Sequence, residues 1–311
     1  MNSTSAKATG PLGRILASAT VVYACLAVLA AVLVTAAIPA PSAWAGDLAQ
    51  VVKDDEEFAP SGTEAIIDHG HVDVGAQFTG EGAHFLARDD SAATPVWREL
   101  DDVVFKVGDE AQLALPDDEQ FGFVGGNAGE NVWVIPQTEQ AGVPWVGWNT
   151  QAPSLIDAAD RGVNMEFLGH AGPGEFSLFL QNGGFEAPQV LWSTAKNQRE
   201  DFWVDLNTHT HANWVFTEPG IHQVGIRLKG KTKNGEDFST DGILTFAVGA
   251  ETDVTEANAT EWDPEAAQEG SSSSIAGWIW VLLGVGAVVL IVSAFLLILA
   301  ARKKGKHADQ D

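Results

Sequence analysis

The chain has 311 residues and a formal net charge of −25, with 42 acidic and 17 basic residues. So acidic a chain is not expected to bind nucleic acid, which needs Lys and Arg to neutralise its phosphates; it attracts cations instead. The single cysteine, Cys25, lies in an N-terminal apolar run. A mature chain without that run has no disulfide and no thiolate ligand, so a transition-metal site must use His, Asp or Glu.

The N-terminal residues have the pattern of an export signal. Lys7 and Arg14 form a basic start, an apolar run follows over residues 15–38, and residues 43–45 (Ala-Trp-Ala) match a small-residue cleavage site. The apolar run is long enough to span a bilayer uncleaved. The cleavage site and the abrupt change to polar sequence favour a signal peptide over residues 1–45.

The middle of the chain predicts a β domain. After an N-terminal segment, residues 46–62, short runs of β-branched and aromatic residues such as "DDVVFKV", "NVWVIP" and "FSLFLQN" alternate with Gly, Pro, Asn and Asp clusters over residues 63–250. Many short, evenly spaced strands predict an all-β fold, an antiparallel β-sandwich. The only helix signal lies near "APSLIDAADRG", and the Asn-Gly in "LKGKTKNGEDF" predicts a turn that joins two strands.

The C-terminal part predicts a stalk and a membrane anchor. Residues 251–274 are acidic, end in four serines and hold few apolar residues, which is typical of a disordered stalk. Residues 275–301 carry no charge and are long enough for a transmembrane helix. The basic tail, residues 302–311, is expected in the cytoplasm. We therefore predict a single-pass protein of the cell membrane. Its outer part, residues 46–275, has 11 basic and 40 acidic residues, a net charge of −29.

Six phrases spread along residues 66–249 give the domain a family resemblance. They are "GHVDV" (70–74), "FGFVGGNAGENVWVIPQ" (121–137), "VPWVGWNT" (143–150), "GPGEFSLF" (172–179), "THTHANWVFTEPGIHQVGIRL" (208–228) and "LTFAVG" (244–249). Together they resemble the actinobacterial surface-anchored domain called choice-of-anchor M, present here in one copy. The resemblance implies a surface protein that accompanies other cell-surface proteins and the components of a metal-type ABC importer.

Two histidine motifs contain candidate metal ligands. His209 and His211 are two residues apart in a predicted strand, so both side chains point to the same face. His71 and Asp73 share a face for the same reason, as do His69 and His71. If the two strands meet, three imidazoles and one carboxylate could bind zinc or manganese, with Asp73 as the fourth ligand or as the group that orients a histidine. The alternative is that these residues only hydrogen-bond one another or the backbone.

These ligand candidates coincide with the motifs of the resemblance. Its His-x-His-x-Asn-Trp motif begins at His209, and its Gly-His-Val-Asp motif contains His71 and Asp73. The resemblance therefore points to the same metal-binding residues. Of the other histidines, His170 is predicted at a loop surface and His222 on a solvated strand face.

Other residue groups support weaker hypotheses. Trp145 and Trp148 could form an exposed platform that stacks on sugars, although burial in the core is the usual place for such residues. Acidic pairs such as Asp89-Asp90 are expected to be solvated, because no EF-hand pattern is present. No nucleophile elbow, phosphate loop or His-Glu-x-x-His helix occurs, so we predict that the protein is not an enzyme.

Three functional hypotheses follow. The favoured one is a membrane-anchored accessory protein of a metal-type ABC importer, with zinc or manganese bound by the clustered histidines. The alternatives are a non-catalytic adhesion or envelope module without metal, and a glycan-binding module that uses Trp145 and Trp148. The distance between His71 and the histidine pair separates the first from the others, since the ligand atoms must all lie about 2 Å from one ion.

Overall fold

The structure is a computed structural model that describes residues 50–183 and 186–269. The predicted signal peptide (1–45), transmembrane helix (275–301) and cytoplasmic tail (302–311) lie outside the described residues. The helices are α1 (Pro153–Ala158), α2 (Val254–Ala259) and α3 (Pro264–Glu269). The strands are β1 (Glu57–Phe58), β2 (Ala65–Ile67), β3 (Gly70–Thr79), β4 (Gly82–Asp89), β5 (Val96–Glu99), β6 (Val103–Val107), β7 (Gln112–Ala114), β8 (Asn131–Ile135), β9 (Pro144–Asn149), β10 (Ala159–Ala171), β11 (Phe176–Leu180), β12 (Gln189–Ser193), β13 (Phe202–Asp205), β14 (His209–His211), β15 (Asn213–Phe216), β16 (Gly220–Thr232) and β17 (Asp237–Val248).

Three sheets contain these strands. The first has the order β1-β5-β4-β3-β9-β14, the second β13-β10-β16-β17-β6-β2, and the third β12-β11-β15-β8-β7. Only Ala212 separates β14 from β15, so the chain passes directly from the first sheet into the third. The predicted all-β, sandwich-like fold is confirmed at this level.

The long strands of the second sheet show why the sequence forms a layered structure. In β16 the side chains of Ile226 and Leu228 are buried, whereas Arg227 and Lys229, which alternate with them, reach solvent. This alternation follows from the two-residue period of a strand, which sends successive side chains to opposite faces. The hairpin from β16 to β17 turns at Asn234 and Gly235, as the sequence predicts, and Gly235 adopts the positive φ of 86° that the turn requires.

Aromatic residues join the sheets into one core. Phe246 of β17 is fully buried and packs against Trp214 and Phe216 of β15, with ring centroids 5.9 and 5.0 Å apart. Trp148 of β9 lies 5.6 Å from Phe202 of β13. The second sheet therefore contacts both the first and the third, and this shared core fixes the strands that carry the histidine motifs.

The prediction that the sandwich is purely antiparallel is wrong. Four strand pairs are parallel, namely β1 with β5, β3 with β9, β6 with β17 and β2 with β6. Parallel neighbours cannot be joined by a tight hairpin, so no turn signal in the sequence indicates them. The helix expected near "APSLIDAADRG" is present as α1.

The expected disorder of the segment from residue 251 is wrong for residues 251–269. Asp253 caps α2 by accepting a hydrogen bond from the Thr255 amide at 2.7 Å, and Ala267 of α3 is buried. Trp262 lies over Gly225, where an added Cβ would be 2.7 Å from the indole. Bare glycine backbone in the sheet gives this polar segment a surface on which to pack. No helix in residues 50–183 or 186–269 is long and apolar enough to cross a membrane.

Candidate metal centre

The two histidine motifs lie on strands that do not pair with each other. Strand β9 runs between β3 and β14, parallel to the first and antiparallel to the second. In this arrangement Gly147 of β9 is the register partner of Asp73 in β3 on one side and of His211 in β14 on the other. His71 is opposite Trp145, and His209 is opposite Asn149. The condition set by the sequence, that the two motifs come together, is met by their side chains across an intervening strand.

Gly147 makes this meeting sterically feasible. A Cβ at this position would lie 2.6 Å from Asp73 Oδ1, 2.7 Å from His211 Cε1 and 2.8 Å from His211 Nδ1. Any side chain on β9 at this point would occupy the space in which these two residues lie. The alternation along β9 places Trp145, Gly147 and Asn149 on one face, and all three border the cluster.

The structure brings together all four candidate ligands. The Nε2 atoms form a triangle, with His71 to His211 at 2.9 Å and both His71 to His209 and His209 to His211 at 3.1 Å. The Asp73 carboxylate lies against this triangle, 3.1 Å from His209 Nε2, 3.6 Å from His211 Nε2 and 3.8 Å from His71 Nε2. One donor atom from each of the four residues therefore lies within 4.8 Å of the other three.

Hydrogen bonding alone cannot satisfy this triangle. Each Nε2 atom carries either a proton or a lone pair, because a neutral imidazole has one donor and one acceptor nitrogen. Two of three such atoms must then be in the same state. Between these two atoms, either two protons or two lone pairs point at each other, and no hydrogen bond forms. At most two of the three short contacts are therefore hydrogen bonds. A cation at the centre removes this conflict, because all three lone pairs then point at it.

The carboxylate of Asp73 gives a second, independent indication of a cation-binding site. The residue is fully buried, and its Oδ2 accepts a hydrogen bond from Asn149 Nδ2 at 3.2 Å. Its other oxygen, Oδ1, is buried without a hydrogen-bond partner and lies on the side of His71 and His211. A buried carboxylate oxygen without a partner is costly, and coordination of a metal would supply that partner.

The donor set fits a tetrahedral metal ion. A regular tetrahedron with metal–nitrogen bonds of 2.0–2.1 Å has ligand atoms about 3.3 Å apart. The three Nε2 atoms are 2.9–3.1 Å apart, within about 0.5 Å of that value, and each lies 3.1–3.8 Å from an Asp73 oxygen, Oδ1 for His71 and His211 and Oδ2 for His209. Three imidazoles and one carboxylate are ligands that zinc accepts, and no rotation of a strand is needed to bring them together.

Asp90 also belongs to the candidate site, although the sequence did not indicate it. Its Oδ1 contacts Nδ1 of His71 in a short hydrogen bond. Such a bond keeps the proton of His71 on Nδ1 and leaves the Nε2 lone pair free for a metal. Asp90 directly follows β4 as one of two consecutive acids, and such a pair is expected to be solvated. The Asp90 amide donates a hydrogen bond to the His71 carbonyl at 3.2 Å, which places Asp90 beside His71 on the neighbouring strand. This neighbourhood exists only once the sheet has formed.

The ring of Trp145 packs against the ring of His211. The two rings are stacked, with centroids 3.9 Å apart and an interplanar angle of 17°. His211 Nδ1 faces the backbone of Val146 without reaching normal hydrogen-bond geometry. Burial lowers the pKa of His211 to about 3, so its imidazole is neutral at physiological pH and holds a lone pair for a cation.

The protonation states of His71 and Asp73 depend on each other. Burial alone would lower the pKa of His71, but its hydrogen bond to Asp90 and the charges of Asp73 and Asp90 raise it above the ordinary value. Burial alone would raise the pKa of Asp73, but its hydrogen bond with His209 and the positive charge that the three histidines carry when protonated lower it. The site therefore holds an ionised carboxylate and attracts positive charge, whether from protons or from a metal ion.

His69 does not join the cluster, although its spacing places it on the same strand face as His71. Its side chain is 69% exposed and pairs with Asp68. The exposed sugar platform is also not formed. Trp145 and Trp148 are 8% and 4% exposed, so their rings have no free face on which a sugar could stack.

The predictions for His170 and His222 are wrong, because both are buried. His170 lies in β10 and His222 in β16, and His170 Nε2 is 2.9 Å from His222 Nδ1. His222 Nε2 donates to the Glu218 carbonyl at 3.0 Å, so His222 Nδ1 accepts from His170. Burial lowers the pKa of His170 to about 3 and that of His222 to about 4. The pair is a neutral hydrogen-bonded element of the core.

No family model, curated protein or solved structure matches the chain. The resemblance to the choice-of-anchor M domain, and the importer that it implies, therefore stay predictions. The candidate metal centre is defined by its own geometry: four neighbouring donor atoms, a buried carboxylate oxygen without a partner and a glycine that leaves room for them.

Proposed function

We propose that the protein is a membrane-anchored cell-surface protein that binds one zinc ion through His71, His209, His211 and Asp73. In this proposal it acts as an accessory binding component beside a metal-type ABC importer. The ion is bound without chemical conversion of a substrate, so the protein is not an enzyme. The strongly acidic outer part raises the local concentration of cations, and the four ligands provide the selectivity that surface charge lacks.

One observation carries the metal part of the proposal: three Nε2 atoms lie 2.9–3.1 Å apart in a triangle that no proton arrangement satisfies. The unpartnered Asp73 Oδ1 beside the triangle supports the same conclusion. An adhesion module that used its histidines for packing alone would gain nothing from such an arrangement, because each unsatisfied contact between buried polar groups is destabilising.

The ligand types favour zinc over manganese. Imidazole nitrogen suits zinc, copper, iron and nickel, whereas manganese prefers oxygen ligands and stands at the weak end of the Irving–Williams order. Four protein ligands also fill a tetrahedral coordination shell, which is the pattern of zinc sites that bind without catalysis. The side chains of His209, His211 and Asp73 are 9%, 6% and 0% exposed, and His71 is the most accessible ligand at 17%.

The cellular role rests on the sequence. The predicted signal peptide, the predicted transmembrane helix over residues 275–301 and the basic tail support a location at the outer face of the cell membrane. The resemblance to choice-of-anchor M supports the importer as partner. A bound zinc ion close to the membrane surface fits a protein that captures a metal ion or passes it to a transporter.

Titration of the purified protein with zinc and with manganese tests the metal proposal. We expect one zinc ion per chain, bound much more tightly than manganese, and loss of the site in His209→Ala/His211→Ala. The matched control is His69→Ala, which removes an exposed histidine two residues from a ligand and should bind zinc as the wild type does. A folded wild-type protein that binds neither metal would overturn the proposal and favour the adhesion module.

A further inference from the structure

A short N-terminal segment packs against the part of the first sheet that supports the metal centre. This segment, residues 50–58, is called the strap here. Val52 is buried, and β1 at the end of the strap pairs with β5. Gln50 at its start donates a hydrogen bond to Asp90 Oδ2 at 3.4 Å. The strap thus contacts the residue that orients His71.

Arg88 provides a stronger connection between the strap and the metal centre. Its side chain, 3% exposed, donates from Nε and Nη2 to the two carboxylate oxygens of Glu56, both at 2.8 Å. This is the two-pronged geometry in which Arg binds a carboxylate most firmly. The third nitrogen, Nη1, donates to Asp90 Oδ2 at 2.6 Å. Trp97 Nε1 also donates to Glu56 at 2.9 Å.

Asp90 divides its two oxygens between these neighbours. Oδ2 accepts from Arg88, and Oδ1 contacts His71 Nδ1. A continuous series of charged hydrogen bonds therefore runs from Glu56 through Arg88 and Asp90 to His71. His71 is also the proposed ligand with the greatest solvent exposure, at 17%.

We propose that docking of the strap and binding of zinc are coupled, with Glu56, Arg88 and Asp90 as positioning residues for His71. The inference rests on the proposed zinc site. When Glu56 is absent or undocked, the buried Arg88 keeps only one carboxylate partner and draws both Asp90 oxygens toward itself. His71 then loses the acceptor that fixes its ring and its tautomer. Because such coupling is reciprocal, bound zinc must in turn hold the strap in place.

The first test compares zinc affinity among variants of the full-length chain, purified in mild detergent, by competition with a chromophoric chelator. Glu56→Gln keeps the shape of the side chain and removes its charge. We expect its zinc affinity to fall about 10-fold or more, the range seen when groups that support a metal ligand are altered. The control is Glu57→Gln, because Glu57 is the exposed neighbour in β1 and should leave zinc affinity unchanged.

The second test uses amide hydrogen exchange and needs no strap variant, so it holds even if Glu56→Gln folds poorly. Zinc should slow exchange over residues 50–58 of the wild type and should not do so in His209→Ala/His211→Ala. A purely structural ion pair would not respond to zinc in this way. Wild-type protein that binds zinc while strap exchange stays the same would overturn the coupling alone. Wild-type protein that binds no zinc would overturn the metal proposal with it.

Discussion

Gly147 gives the sharpest test of how the proposed zinc site is built. The substitution Gly147→Ala adds one methyl group to β9 at the point where Asp73 and His211 meet. The φ of Gly147 is outside the left-handed region, so alanine suits the backbone of this strand. The effect of the change is therefore confined to the side chains that the new Cβ touches.

The expected magnitude follows from the distances. The new Cβ would lie 2.6 Å from Asp73 Oδ1 and 2.7 Å from His211 Cε1, whereas ordinary contacts begin at 3.4 Å. One or both residues must therefore move by about 0.7–0.8 Å. Metal–ligand distances tolerate only about 0.2 Å, so at least one ligand leaves the coordination shell. We expect zinc affinity to fall at least about 100-fold.

Chelator competition measures this affinity, and circular dichroism checks that the variant is folded. The matched control is Gly80→Ala, since a Cβ on Gly80 meets no atom within 4 Å. It should bind zinc as the wild type does. A folded Gly147→Ala protein with wild-type zinc affinity would refute the idea that the ligands converge across this glycine.

Two further predictions concern stability. The pKa values of His170 and His222, about 3 and about 4 in the fold, lie below the unfolded value near 6.5, so the unfolded chain takes up protons first as pH falls below 6.5. The free energy of unfolding should therefore drop by about 2 kcal/mol per histidine at pH 5. Denaturant unfolding should show a smaller drop for His170→Gln than for the wild type. Equal pH dependence of the two proteins would contradict this. Zinc at 100 times its Kd should stabilise the wild type by about 2.7 kcal/mol. Removing zinc with a chelator should therefore lower the Tm of the wild type and leave the Tm of Gly147→Ala unchanged.

The candidate ligands could be predicted from the sequence because they depend on local spacing. His209 and His211, like His71 and Asp73, are two residues apart within strands, and that spacing alone places each pair on one face. The all-β, sandwich-like fold followed from the same kind of pattern, because strand length and turn residues are local properties.

The features that were missed depend on contacts between distant parts of the chain. Asp90 orients His71 only because β3 and β4 pair in one register, and Gly147 matters only because β9 inserts between the two ligand strands. His170 and His222 look like surface residues in sequence, yet each satisfies the other in the core. The folded segment after residue 251 depends on bare glycine positions in the sheet that accept Trp262 and Ala267.

The most direct test of the zinc site is a crystal structure of the protein with diffraction data collected at the zinc absorption edge. We predict one anomalous peak within about 2.0–2.2 Å of Nε2 of His71, His209 and His211 and of a carboxylate oxygen of Asp73. A zinc-soaked crystal with no peak at this position, and with the three imidazoles turned away from one another, would contradict the account.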